Sequence, residues 1–552
     1  MDTPVTRRAF LGGSAAVVAA LSLGGCRSSR RAGGPTELRL PGGSFGFPSP
    51  FATIAGPGYV QMSYIYDTLL WKDASGRLLP WLAQTVERSH DGLTYTFHLR
   101  KGITWQDGRA LTAEDVVFTF EYFARQPLGP LIIAQPFGVQ GARAVGVGKV
   151  VIELELPAVT FLEAVAGAVP IIPKHIWSGI ADAPHAQDMA VLVGSGPYRL
   201  HSYSPGEGAS LYLANDDHFL GRPYVRRLEL RPVDDELSAL LAGDVDVAET
   251  AAEGTSSDAL SPFHGNAYDI VHATGGFMFP LIWNLARESA LTDVRVRRAF
   301  ALAIDRGAIV ERLLSGNGLA GNPGFLPPND PFFVPTEQYA FDPAAAERLL
   351  DEAGFRSRTA DGLRRDPNGR VLRFSVVTGN SPIPAALDLI VEGLKRIGIQ
   401  LRPQAVDLPT LFGRLQQGAD EIALSLYPGP GGTAPNADPD TMRTFYSSRI
   451  KGRLQGAQGY LNADLDRLAD RQLVTADPAE RKRELARMQH LVARDLPALP
   501  LYYPTLFTVF RREVFDSWYY TPGGFAGGLP GPYNKQVFVT GVRTGLRIHR
   551  PQ

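Results

Sequence analysis

The chain has 552 residues, a formal net charge of −1, and 44% hydrophobic against 20% charged residues. This composition is typical of a soluble globular protein, and the nearly neutral charge excludes a strongly basic surface for nucleic acid. Because a single core stops growing at roughly 250–300 residues, we expect at least two lobes.

The first residues resemble an export signal. Arg7 and Arg8 lie in a Thr-Arg-Arg-Ala-Phe-Leu stretch that resembles a twin-arginine signal. An uncharged apolar run follows over residues 15–23. It is shorter than the ~20 residues that a membrane-spanning helix needs. We therefore predict a signal peptide over residues 1–25.

Cys26 ends a Leu-Gly-Gly-Cys stretch that resembles a lipobox, although glycine is a less usual residue at position 24. It is the only cysteine of the chain, so no internal disulfide can form. Acylation would explain a single thiol in an oxidising compartment. We predict lipidation at Cys26 and a tether over residues 26–36. The alternative is a plain secretory signal with an incidental cysteine.

Strands and helices alternate along the first half of the chain. Alternating apolar residues predict strands over residues 37–40, 94–100, 149–156 and 228–231. An apolar run over residues 64–71 predicts a helix. Thr112 caps another predicted helix, with Glu114 and Asp115 in its first turn.

The second half is mostly helical. We predict one helix from Asp293 through Leu313, closed by Gly316, and further helices after Asp342, at residues 384–397 and after Asp477. Residues 367–369 predict a hairpin turn whose returning strand covers residues 370–378, and residues 400–406 predict another strand. This interleaving favours an α/β or α+β architecture.

Three observations argue against an enzyme. Ser44 lies in a Gly-x-Ser-x-Gly pattern, but Pro48 and Pro50 forbid the helix that a nucleophile elbow requires. The chain has no Gly-x-x-x-x-Gly-Lys-Ser/Thr loop for phosphate. No cysteine follows Cys26, and the ten histidines form no metal-binding motif. We predict no catalytic residue, no cofactor and no resident metal.

Four sequence blocks in a fixed order carry a family resemblance. They cover residues 79–117, with Trp81, Trp105 and an Asp-Gly-Leu-Thr-Tyr stretch; residues 194–200; residues 215–224; and residues 293–306. In this order the blocks resemble the extracellular solute-binding proteins of family 5, which are the peptide, oligosaccharide and nickel receptors of ABC importers. The resemblance extends from about residue 37 to residue 540.

The resemblance implies an α/β, two-lobed fold like that of the periplasmic binding proteins, of the class II type with an extra subdomain. Lobe one would comprise residues 37–274 and 504–552, with a subdomain at about 60–190. Lobe two would comprise residues 275–503. The ligand would lie in the cleft between them, and the lobes would close on it.

Four segments would line that cleft in the family. The first follows the opening strand, the second lies at the crossing to lobe two, the third precedes an Asp-Pro-Asp stretch, and the fourth belongs to the returning tail. The predicted ligand-binding residues are Gly46, Phe47, Ser49, Phe51, Phe277, Phe279, Trp283, Asn284, Tyr427, Gly429, Asp438, Trp518, Tyr519 and Phe525. For each aromatic residue the alternative is burial in a core, and for residues 46–51 an ordinary turn.

The third segment departs from the family's peptide receptors. They often carry a tryptophan where Tyr427 stands, and their aspartate for a peptide ammonium would fall at or near Pro435. Asp438 would have to supply that charge instead. Alternatively, Asp438 and Asp440 cap the following helix.

The predicted function is that of an exported, lipid-anchored and monomeric receptor, held at the periplasmic or outer cell surface only through its lipid. It would deliver a peptide-like solute to an ABC permease and its ATPase. An oligosaccharide or another organic solute, a ligand sensor with the same fold, and a nickel-chelate receptor are the alternatives.

Overall fold

The computed structural model describes residues 37–53, 56–126, 138–250, 255–379, 384–428, 438–450, 456–524 and 531–539. Its strands are β1 (Glu37–Gly42), β2 (Leu70–Lys72), β3 (Leu78–Pro80), β4 (Ala83–Arg88), β5 (Thr94–Leu99), β6 (Val139–Ala144), β7 (Lys149–Leu154), β8 (Tyr198–Ser204), β9 (Ala209–Ala214), β10 (Arg227–Pro232), β11 (Val247–Glu249), β12 (Tyr268–Thr274), β13 (Phe277–Trp283), β14 (Gly318–Ala320), β15 (Arg373–Gly379), β16 (Gln400–Val406), β17 (Ile422–Leu424), β18 (Tyr427–Pro428) and β19 (Ala498–Arg511).

The helices of the described residues are α1 (Gly56–Ile65), α2 (Ala113–Arg125), α3 (Lys174–Trp177), α4 (Glu236–Ala242), α5 (Ser257–Leu260), α6 (Val294–Ala303), α7 (Arg306–Leu314), α8 (Pro343–Glu352), α9 (Pro384–Arg396), α10 (Leu408–Gln417), α11 (Thr441–Tyr446), α12 (Ala463–Val474), α13 (Pro478–Asp495) and α14 (Gln536–Val539). A π-helical turn covers Leu162–Ala166. Short 3-10 turns cover Met189–Val191, Ser261–Phe263 and Ala290–Thr292.

Strand pairing divides the described strands into open sheets. Two four-stranded sheets have the orders β1-β10-β9-β8 and β4-β5-β7-β6, and β2 pairs with β3. The largest sheet has the order β11-β19-β13-β17-β15-β16, with β12 and β14 beside β19 and β18 beside β13. β1 runs parallel to β10, and β15 runs parallel to both β16 and β17.

The strand β19 connects separate hydrophobic cores. Its first half pairs with β13 and contributes to a core around Trp283, Phe300 and Val376, here called the second core. Its second half pairs with β12 and reaches the first core, formed mainly by residues 38–230 with parts of the 510–538 tail. A third core lies around α12 and α13, and a small fourth core around α4.

The predicted helix caps are present where the capping residue and the first turn of the helix are neighbours in the sequence. The Asp115 carboxylate accepts a hydrogen bond from the Thr112 backbone N–H at 2.9 Å, which closes the start of α2. Asp342 and Asp477 cap α8 and α13, each followed by a proline in the first turn. The strands predicted at residues 37–40, 94–100, 149–156, 228–231 and 400–406 are also present.

Two helix predictions are wrong. Residues 64–71 are not one helix, because α1 ends at Ile65 and β2 then pairs with β3 across a turn. The helix predicted from Asp293 to Leu313 is divided at Ile304, since the Asp305 carboxylate accepts the Ala308 N–H at 2.9 Å and starts α7.

The predicted hairpin at residues 367–369 is only partly formed. Arg365 and Val371 make a single antiparallel bridge around it, and Gly369 has a φ of 84° that suits the turn. The strand that follows, β15, pairs in parallel with β16 and β17 instead of returning along the hairpin.

Candidate functional site

The chain crosses from the first core to the second between β12 and β13, and it returns within β19. β12 belongs to the part that pairs with the second half of β19, and β13 pairs with the first half. Gly275 joins β12 to β13 with a φ of 86°, a conformation that glycine adopts without strain. Its N–H donates to the Pro504 carbonyl at 3.2 Å, so both connections lie side by side.

The first predicted segment lies mostly in the first core. Phe47 packs edge-on against Tyr203, and Phe51 packs among aromatic rings that include Trp177. Ser49 is fully buried. These three side chains are therefore removed from the ligand candidates, because they are enclosed by protein. Gly46 is half-buried and has a φ of 81°, which fits the turn alternative.

The second segment forms β13, and its side chains alternate between the two faces of the strand as predicted. Phe279, Leu281 and Trp283 belong to the second core, and Phe277 packs against it. Phe279 and Trp283 are fully buried, so the shared face is core and not cleft. Asn284 is also buried, with its amide N–H donating to the Gly418 carbonyl at 2.8 Å. Only Phe277 keeps an accessible surface.

The third segment begins with Tyr427 in β18. It pairs with Met278 of β13, whereas Phe277 pairs with Pro428, so the rings of Tyr427 and Phe277 point to opposite faces. Tyr427 packs edge-on against Phe445 at 4.7 Å between ring centroids and stays half-buried. Gly429 lies outside the described residues.

Asp438 has a role that neither sequence alternative anticipated. Its carboxylate accepts two hydrogen bonds from the Arg481 guanidinium, at 2.8 and 2.5 Å. It also accepts the Asp440 N–H at 2.8 Å, so it orders the turn before α11 without capping the helix through its side chain. Arg481 donates in turn to the side-chain oxygen of Gln472 at 2.8 Å. Asp438 is thus an already paired charge.

The fourth segment is split between core and accessible surface. Trp518 is fully buried between Phe515 and Tyr533 in the first core, which removes it from the candidates. Tyr519 is half-buried, and its hydroxyl donates to the Gln536 side chain at 3.3 Å. Phe525 lies outside the described residues, as do Arg7, Arg8 and Cys26.

A pair of carboxyl groups that the sequence did not single out lies beside this tail. The Tyr520 hydroxyl donates to Glu249 at 3.4 Å, and the Glu249 backbone N–H donates to the Glu236 carboxylate at 2.6 Å. Burial, and then repulsion from Glu236, raises the pKa of Glu249 to about 8. Burial raises the pKa of Glu236 to about 7. Glu249 is therefore mostly protonated at neutral pH.

We expect the variant Glu249→Gln to flatten the dependence of stability on pH. The folded chain holds a proton on Glu249 that the unfolded chain, with a glutamate pKa of about 4.3, releases. The free energy of unfolding of the wild type therefore falls as pH rises from about 4.3 through about 8. Urea unfolding at pH 5 and pH 8 measures this difference.

The matched control is Glu513→Gln, because Glu513 is exposed in the same tail. The control variant should lose as much stability between pH 5 and pH 8 as the wild type. An equal loss in Glu249→Gln would show that this carboxyl group is ionised in the folded protein at pH 5.

The described residues form two surface pockets. One, of about 480 Å³, is lined by residues that include Arg297 and Tyr460, and the other, of about 530 Å³, by residues that include Phe263 and His272. None of the predicted ligand-binding residues lines either pocket. Within the described ranges, no cluster of His, Cys, Asp or Glu is suited to hold a metal ion.

The fold is that of the two-lobed periplasmic binding proteins. A structure of the oligopeptide-binding protein AppA from Bacillus subtilis with a nonapeptide is 24% identical, with a TM-score of 0.72, over 87% of this chain and 95% of that chain. A structure of NikA from Brucella suis with Fe(III)-EDTA is 22% identical, with a TM-score of 0.75, over 90% and 99% of the two chains.

The chain belongs to the bacterial extracellular solute-binding proteins, family 5, whose model matches residues 77–452. In sequence it is similar to the oligopeptide-binding protein AppA of Bacillus subtilis, with 26% identity over 478 residues, 84% of this chain and 85% of the relative. The predicted family and fold class are confirmed, and the chain is an extracellular solute receptor, not an enzyme. No helix of the described residues is long and apolar enough to cross a membrane.

Proposed function

We propose that the chain is the substrate-binding component of an ABC importer and delivers a peptide-like solute to the permease. Family membership carries this proposal, together with similarity to an oligopeptide-binding protein over most of both chains. A structural neighbour from Helicobacter pylori, DppA, is also in complex with a peptide. The mechanism is reversible binding with closure of two lobes, and no covalent bond is made or broken.

The lobes proposed are residues 37–274 with the tail from 504, and residues 275–503. The crossing at Gly275 and at Pro504 supports these boundaries, because the first and second cores separate there. The half-buried side chains of Phe277, Tyr427 and Tyr519 are the remaining candidates for ligand contact. We add Glu249 and Tyr520, since they join β11 to the returning tail beside Tyr519.

The proposed location is the outer face of a membrane, with a lipid on Cys26 and export through a signal that includes Arg7 and Arg8. The residues around these positions support this, as the sequence resembles a lipobox after a twin-arginine stretch. The protein is proposed to act as a monomer without nucleic acid. Its partner is a permease with its ATPase.

One mass-spectrometric experiment tests both ligand and anchor. The full chain, purified from the membrane fraction of an expressing bacterium, is incubated with a pool of casein-derived peptides and measured under native and then denaturing conditions. We expect peptide masses that are retained natively and lost on denaturation. The denatured chain should start at residue 26 and carry a diacylglycerol mass, which Cys26→Ser should abolish.

A pool of oligosaccharides and a set of metal chelates are the comparison ligands, because one structural neighbour holds Fe(III)-EDTA. Retention of either class with no retained peptide would contradict the peptide proposal and leave the receptor function intact. An unmodified chain in the soluble fraction would contradict the anchor.

A further inference from the structure

A backbone hydrogen bond joins the segment before the π-helical turn to the end of α12. The Val159 N–H donates to the Leu473 carbonyl at 2.9 Å. Leu473 lies in the last turn of α12, where carbonyl groups lack partners within the helix. Val159 directly precedes Thr160 and Phe161, which lead into the π-helical turn, an element often found at functional positions.

The donor side of this contact is fixed by a buried lysine. Lys72 forms an ion pair with Glu163 in the π-helical turn, and its ammonium group also donates to the Gly523 carbonyl of the tail at 3.3 Å. Lys72 is only 5% exposed. These contacts therefore hold three segments together next to Val159, namely β2, the turn that carries Glu163, and the returning tail.

The acceptor side is fixed by Arg481. Its guanidinium donates to the Gln472 backbone carbonyl at 3.1 Å, which positions the residue immediately before Leu473. The same guanidinium holds Asp438 with two hydrogen bonds. Asp438 therefore orients the guanidinium that contacts the Gln472 carbonyl.

Charges on the acceptor side of the contact act on the Glu163 carboxylate of the donor side. Burial raises the pKa of Glu163, Lys72 opposes this rise, and the charges of Asp438 and Arg481 also act on the Glu163 carboxylate. Among the described residues, however, the Glu163 and Arg481 side chains form no ion pair within 4.0 Å. The Val159–Leu473 hydrogen bond is therefore the direct contact, with one ion pair behind each partner.

We propose that this arrangement is a closure latch: the Val159–Leu473 hydrogen bond, supported by the Lys72–Glu163 and Asp438–Arg481 ion pairs, holds the two lobes together. Opening the cleft breaks the hydrogen bond while each ion pair stays within its own lobe. Asp438 and Arg481 act as positioning residues for the Leu473 carbonyl, because Arg481 holds the neighbouring Gln472 carbonyl. The acceleration of closure by a ligand rests on the proposed function, and the latch rests on the lobe boundaries proposed with it.

Disulfide trapping tests the latch without ligand. In the full chain with Cys26→Ser, Val159→Cys and Leu473→Cys place two thiols on residues whose backbones are joined by a hydrogen bond. A disulfide between them requires roughly 4.4–6.8 Å between the Cα atoms. We expect an intramolecular cross-link under mild oxidation. Adding Arg481→Met should slow cross-linking about fivefold or more. Adding Arg487→Met, an exposed arginine of the same helix, should not.

The melting temperature of each variant shows whether slower cross-linking reflects the latch or a less stable fold. The latch requires slower cross-linking in Arg481→Met at a temperature where both variants are fully folded. Equal cross-linking rates in the Arg481→Met and Arg487→Met variants would overturn the positioning role. Absence of any cross-link in the folded protein would overturn the latch.

Removal of the donor is an independent measurement. Val159→Pro eliminates the N–H, whereas Val159→Ala keeps it. Small-angle scattering without ligand should give a larger radius of gyration for Val159→Pro than for Val159→Ala. Equal radii of gyration would contradict the latch, because loss of the hydrogen bond would then leave the cleft no more open.

Casein-derived peptides should accelerate cross-linking of the cysteine pair. If peptides are retained but leave the rate unchanged, the link between ligand and latch fails and the proposed function stands. If no peptide is retained, the ligand-free measurements still decide on the latch.

Discussion

Lys535→Met should cost about 3–5 kcal/mol in the free energy of unfolding of the first lobe, since breaking a buried ion pair leaves an uncompensated charge. Lys535 and Asp67 are both completely buried, with 2.7 Å between the ammonium nitrogen and a carboxylate oxygen. Lys535 also donates to the Ser63 and Tyr66 carbonyls at 3.0 and 2.9 Å. Urea unfolding followed by tryptophan fluorescence measures the loss.

The surroundings of Asp67 explain the size of this effect. Burial alone would raise the pKa of Asp67, but attraction to Lys535 and His218 outweighs it and holds the pKa well below its usual range. The Trp81 indole N–H donates to the same carboxylate at 2.7 Å, and the Ser195 hydroxyl at 2.9 Å. Without Lys535, these groups would surround a buried anion that lacks its main counter-charge.

Two further variants make the Lys535 prediction specific. Lys101→Met removes an exposed lysine and should change stability by no more than about 0.5 kcal/mol. Asp67→Asn combined with Lys535→Met should restore part of the loss, because both charges are then absent. A Lys535→Met variant as stable as Lys101→Met would mean that the C-terminal tail does not hold the first lobe together.

Sequence reasoning succeeded where the signal lies within one turn of a helix. Thr112 with Asp115, and Asp477 with Pro478, are neighbouring residues whose geometry is fixed before any tertiary contact forms. It failed at Asp305, where an internal aspartate can be either a surface residue of one helix or the cap of the next. Apolar spacing is the same in both cases, and only the packing of α6 and α7 distinguishes them.

The site was less predictable for a related reason. Alternation correctly placed Phe279 and Trp283 on one face, but a shared face does not reveal whether core or cleft lies opposite. The Glu249–Tyr520 hydrogen bond joins residues 271 positions apart, and no local pattern records such a pairing. The sequence singles out Asp438 as a candidate, but its partner Arg481 is one of several arginines on α13 and carries no local signal of that pairing.

Trp283→Ala should cost about 3–5 kcal/mol in the free energy of unfolding of the second lobe, the range for deleting a buried tryptophan. The ring is completely buried in β13 and packs edge-on against Phe300, with 5.2 Å between centroids. Replacement by alanine leaves a cavity at the centre of the second core. Urea unfolding monitored by circular dichroism gives the loss, and native mass spectrometry with casein peptides gives binding at a temperature where the variant is folded.

Trp283→Phe and Phe277→Ala separate packing from ligand contact. The Trp283 indole N–H has no hydrogen-bond partner among the described residues, so phenylalanine removes an unsatisfied donor and should cost only about 1–2 kcal/mol. Phe277→Ala, at the half-buried start of the same strand, should destabilise less than Trp283→Ala and weaken peptide retention more. If Trp283→Ala instead kept its stability and lost its peptide, the cleft would have to extend to the buried face of β13, because a core residue cannot lose its ring without opening a cavity.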